Sequence, residues 1–121
     1  MEDTIAAVAT AYGEGGIGII RISGENSLSI LKEVFDPAAD NKEITSRRMT
    51  YGKIIDKDAD QIIDEVLAVY MKGPKTYTAE DVVEINCHGG IYVTNKILEI
   101  LLINGARLAD PGEFTKRVIY N

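Results

Sequence analysis

Residues 16–23 read Gly-Ile-Gly-Ile-Ile-Arg-Ile-Ser, a β-branched run that is apolar on both faces of a strand. A strand of that kind belongs inside a sheet, and the lone guanidinium within it, Arg21, needs a partner or a ligand. A second segment has the same oddity. Asp81 to Cys87 alternates as a strand, with Val83, Ile85 and Cys87 on one face and Glu84, Asn86 and His88 on the other beside Val82. Two charges of opposite sign, Arg21 and Glu84, therefore stand in mid-strand. Either they pair with each other across the sheet, as buried ion pairs do without any function, or they form a polar site. In such a site Glu84 forks to a ligand with adjacent N–H donors, such as a pterin or guanine, while Arg21 meets a carbonyl or carboxylate.

Around these strands the pattern predicts a small-residue strand over Thr4–Thr10, joined to residues 16–23 through a glycine-rich turn at residues 12–16. A helix over Asn26–Phe35 follows, with Leu28, Leu31 and Phe35 at helical spacing beside Ile30 and Val34, Asn26 as N-cap and a stop near Pro37. Residues 36–46 are polar and loop-like. Met49–Asp56 and Gln61–Met71 form a hairpin around the charged turn at residues 57–60, and residues 73–78 have loop chemistry. A long helix runs from about Ile91 to Asn104, closed by Gly105 at C′, and one short helix follows the Pro111-Gly112 turn. The expected fold class is α+β: one mixed, mainly antiparallel sheet of about five strands with two main helices on one face. With 121 residues and no linker, residues 1–121 form one domain.

Several patterns resemble chemistry and fail on their context. Gly13-Glu-Gly-Gly-Ile-Gly18 satisfies GxGxxG, but strand residues follow it where a dinucleotide site needs a helix. Nothing matches the P-loop, so nucleotide hydrolysis by this chain is not expected. Asp56-Lys-Asp-Ala-Asp60 imitates a calcium loop, yet its sixth position is Gln61 and its twelfth is Leu67. Cys87 and His88 are the chain's single cysteine and histidine, which excludes an internal disulfide and a Cys/His zinc site. As strand neighbours they face apart, so Cys87 reads as a small buried residue rather than half of a dyad. His88-Gly-Gly90 at the start of the long helix offers backbone N–H groups to a polar ligand or, more simply, a turn with positive φ. The net charge of −6 argues against direct nucleic-acid binding. An acidic N-terminus and an apolar run, residues 97–103, too short to cross a bilayer point to a cytoplasmic protein.

Five ordered segments carry a resemblance. Asp3-Thr-Ile-Ala-Ala-Val-Ala-Thr10, Gly15-Gly-Ile-Gly-Ile-Ile-Arg-Ile-Ser-Gly24, the stretch from Gly73 to Glu84, Cys87-His-Gly-Gly90 and the stretch from Gly105 to Arg117 together resemble the N-terminal domain of the MnmE (TrmE) family of tRNA modification GTPases. The resemblance implies a fold similar to half of the folate-binding unit of the glycine-cleavage aminomethyltransferases. It implies 5-formyltetrahydrofolate or another tetrahydrofolate derivative as ligand, and a homodimer. It also implies a parent GTPase that works with the flavoprotein MnmG on the wobble uridine of tRNA, with no membrane. The family's folate-contacting arginine and glutamate fall on Arg21 and Glu84, and the resemblance assigns no catalytic residue to this chain. Its further basic contact lies just past Asn121, Val118-Ile-Tyr120 departs from the usual run, and the C-terminal cysteine motif has no counterpart. The expectation is a domain fragment, folate-binding and dimerising, without catalysis of its own.

Overall fold

A computed structural model describes residues 3–9, 17–88 and 90–121. Its elements run β1 (Ile5–Val8), β2 (Gly18–Ser23), α1 (Ser27–Val34), β3 (Phe35–Pro37), β4 (Thr50–Asp56), β5 (Gln61–Met71), β6 (Val82–Cys87), α2 (Gly90–Ile103), β7 (Arg107–Leu108) and α3 (Glu113–Tyr120). The seven strands form one sheet in the order β3-β4-β5-β6-β2-β1-β7, antiparallel except for the parallel β1–β7 pair. The α+β class and the mixed, mainly antiparallel sheet agree with the sequence. The strand count rises from about five to seven because two very short edge strands, β3 and β7, are too brief to show any alternation.

Alternation sorts the sheet into two faces. Ala6, Ile20, Ile22, Ile54, Val66, Ala68, Val83, Ile85 and Cys87 join Ile30, Leu31 and Val34 of α1 and Ile97, Ile100 and Leu101 of α2 in one buried core. The long helix buries Thr94, Ile97, Ile100 and Leu101, an i, i+3, i+6, i+7 stripe laid along the middle strands. Thr94 comes so close to β2 that a side chain at Gly18 would collide with its hydroxyl, which is why that strand opens with glycine.

The other face carries the opposite residues of the same strands: Ile5 and Ala7 of β1, Arg21 and Ser23 of β2, Val82 and Glu84 of β6, Leu67 and Val69 of β5. Of the helices only α3 lies on it, at the β7–β1–β2 end, and the segment ahead of β6 joins it through the buried Ser23–Thr78 contact. Arg107 of β7 donates to Glu113 there, and Arg117 donates to the Ser23 carbonyl and to Glu80.

Local details amend two expectations. The first helix stops at Val34, and Phe35, which continues the helical spacing, is already extended because Pro37 forbids further helix. Asn26 occupies the N-cap position, but its side chain makes no cap bond; Thr4 Oγ1 accepts the Asn26 N–H instead, at 3.0 Å. The glycine-rich turn and its GxGxxG pattern lie largely outside the described residues. No helix of the described residues is long and apolar enough to cross a membrane.

Candidate functional site

Arg21 and Glu84 are direct cross-strand partners in the β2–β6 ladder. Both point to the open face, in the row Ala7, Arg21, Glu84, Val69 that crosses four strands. Arg21 donates through Nε at 2.7 Å and Nη2 at 2.6 Å, and both bonds land on one oxygen, Oε2 of Glu84. That geometry uses half of the carboxylate. Glu84 Oε1 and Arg21 Nη1 form no hydrogen bond with the described residues. The two side chains keep 28% and 25% of their surface exposed, so the pair stands at a water-accessible floor rather than in the core. Apolar Ala7 and Val69 flank it, which lowers the local polarity and strengthens any bond made there.

A third residue reaches the pair. The Tyr77 ring lies with its centroid 5.3 Å from the Arg21 guanidinium carbon, within the range of a cation–π contact. Tyr77 belongs to the segment between β5 and β6, which is fastened at several points. The Gly73 N–H donates to Asp81 Oδ1 at 2.8 Å, and the Thr76 hydroxyl donates to the Glu80 carbonyl at 2.5 Å. Thr78 and Ser23, both fully buried, share a hydroxyl hydrogen bond of 2.5 Å. Ser23 also donates to Glu80 Oε1 at 2.8 Å, and the buried Arg117 donates to the same oxygen at 3.0 Å.

The remaining sequence candidates are placed elsewhere. Cys87 is buried on the helix side, its thiol near the Gly18 carbonyl and the Thr94 hydroxyl, and burial pushes its pKa up. His88 lies beyond the end of β6 and does not share the face of Glu84 as the alternation predicts. Its backbone N–H donates to Asp64 Oδ2 at 2.9 Å and its Nδ1 stands 3.4 Å from Asp64 Oδ1, so Asp64 draws it toward β5. Of the His88-Gly-Gly90 segment, Gly89 lies outside the described residues, and Gly90 begins α2 at φ +73°. Asp56 of the imitation calcium loop accepts the Asp58 and Ala59 N–H groups as an ordinary turn residue.

The sequence alone did not single out Tyr77, Glu80 and Arg117. An aromatic residue in a loop otherwise built of Gly, Pro, Lys and Thr was the available signal for Tyr77. Arg117 gave none, because its role depends on where α3 lands.

Residues 4–121 match the family described as "GTP-binding protein TrmE N-terminus". The chain belongs to that family. Among curated relatives, the tRNA modification GTPase MnmE of Alkaliphilus metalliredigens is 59% identical over 123 residues, covering 100% of this chain and 27% of the relative. The proteins of the same name from Thermoanaerobacter pseudethanolicus and Lactobacillus delbrueckii are 55% and 56% identical, each over 98% of this chain and 26% of their own length. This TrmE N-terminal domain thus spans about a quarter of the length of the curated relatives it matches.

Proposed function

We propose that the domain binds a tetrahydrofolate one-carbon donor, 5-formyltetrahydrofolate or a close derivative, over the Arg21–Glu84 pair. We further propose that it joins a second copy as the homodimerising part of a cytoplasmic GTPase that modifies the wobble uridine of tRNA together with the flavoprotein MnmG. The observation that supports the folate reading best is the half-used ion pair on the open face: Glu84 Oε1 and Arg21 Nη1 form no hydrogen bond with the described residues, and the two side chains keep 25% and 28% of their surface exposed. A neighbouring acceptor and donor of this kind suit the edge of a pterin, whose ring N–H and exocyclic amine donate and whose carbonyl accepts. The folate, when bound, supplies the one-carbon unit; Glu84 and Arg21 orient its ring. Oε2 of Glu84 already serves Arg21, so a bidentate fork to the ligand shares that oxygen or draws the guanidinium aside.

Calorimetric titration of the chain with 5-formyltetrahydrofolate tests this. Micromolar affinity, about −8 kcal/mol, is expected. Glu84→Gln, which keeps shape but removes the charge, is expected to weaken it roughly ten- to hundredfold. Saturable binding indifferent to Glu84→Gln would sink the site.

The bond between Arg21 and Glu84 also favours a second reading, in which the pair only satisfies itself and the domain is a dimerisation module without a ligand. Under that reading the titration yields no heat, while the mass in solution remains that of a dimer.

A further inference from the structure

We infer that Tyr77 is a third member of the ligand site, an aromatic wall against which the flat bicyclic ring held by Glu84 and Arg21 stacks. This rests on the folate reading above and adds a residue and a mode of recognition to it. Tyr77 is 54% exposed although it is an aromatic side chain next to a charge pair. Its exposure is not slack in the backbone. On one side Thr78 is fully buried against Ser23, and on the other Thr76 is tied to the Glu80 carbonyl, so the residue between them is held out over the open face.

The tie extends into α3, because Arg117 and Ser23 converge on the same oxygen of Glu80. A ring fixed in this way contributes contact area with little ordering cost on binding. The Arg21 guanidinium, 5.3 Å from the ring centroid, makes a cation–π contact with Tyr77 and leaves the ring more than half exposed. A heteroaromatic ligand bonded to Glu84 Oε1 gains a better partner in Tyr77 than the guanidinium is.

Titrations of the wild type, Tyr77→Phe, Tyr77→Ala and Glu84→Gln test the assignment, with 5-formyltetrahydrofolate, pterin-6-carboxylate and p-aminobenzoylglutamate as separate probes. The thermal midpoint of each variant checks the fold, and the exposed position makes Tyr77→Ala a mild substitution. Tyr77→Phe keeps the ring and is expected to bind within about threefold of the wild type, whereas Tyr77→Ala loses roughly tenfold for the complete ligand and for the pterin probe. Wild-type affinity in Tyr77→Ala, with Glu84→Gln still impaired, overturns the wall and leaves the folate site standing. A loss confined to p-aminobenzoylglutamate overturns the stacking on the bicycle. Absence of binding by the wild type itself removes the folate reading and this inference with it.

Discussion

Glu113 shows how one side chain in this fold depends on two others. Arg107 grips it with both Nη atoms, at 3.1 and 2.6 Å, the Asp110 N–H donates to it at 2.8 Å, and Arg117 approaches at 3.4 Å. The Arg107 hydrogen bonds foremost, then the Asp110 N–H and the two positive charges, outweigh burial and hold its carboxyl down to about 2 from an ordinary 4.5. The unfolded chain takes up this proton first, so the stabilisation is complete above about pH 4.5 and disappears as the pH falls towards 2. Denaturation of the wild type beside Glu113→Gln is therefore expected to show a stability gap that is constant near neutrality and closes across that window. A gap unchanged down to pH 2 would show that the arginine grip does not survive in solution. Some of this scale was legible beforehand. Arg21 and Glu84 stood out because strand alternation exposes a charge wherever apolar residues surround it, and the ladder sets them opposite each other. Glu113 and Arg107 could not be paired that way, since the five residues between them leave β7 and turn at Gly112, where φ is +77°.

At the level of elements, α3 is attached in an unusual manner. Arg117 is its one fully buried residue among those whose side chains are described, and Val118 and Ile119 face outward. The helix is thus fastened to the sheet by a guanidinium bonded to the Ser23 carbonyl, Glu80 and Glu113 rather than by an apolar stripe. Arg117→Ala leaves two carboxylates facing a void and is expected to cost about 3 kcal/mol, read as a lower urea midpoint. A cost below about 1 kcal/mol would mean that α3 docks mainly through Phe114 and the chain leading into it. The two long elements of the core, α2 and β5, were readable from period and length, because each buries a regular stripe. The edges were not. β3 has three residues and β7 two, and a hydrogen-bonded edge of that length leaves no trace in side-chain pattern. Phe35 misled for a related reason: its side chain keeps the helical spacing and packs in the core although its backbone is extended.

For the molecule as a whole, the decisive asymmetry is that both core helices lie on one side of the sheet and, of the helices, only α3 lies on the other. Tyr51 and Leu67, directly opposed on β4 and β5, remain 48% and 43% exposed on that open side. The proposed homodimer is expected to appear in sedimentation equilibrium as twice the chain mass at micromolar concentration, and a monomer throughout would remove dimerisation from the function. The place of β1 carries a consequence for synthesis. Its outer edge is closed by Arg107 and Leu108, and Thr4 at its start bonds the Asn26 N–H ahead of α1, so β1 waits through the synthesis of every strand between them before its ladder is complete. Until then an apolar, half-paired edge is open to other chains, and growing polypeptides on neighbouring ribosomes are the nearest ones that can add a strand to it.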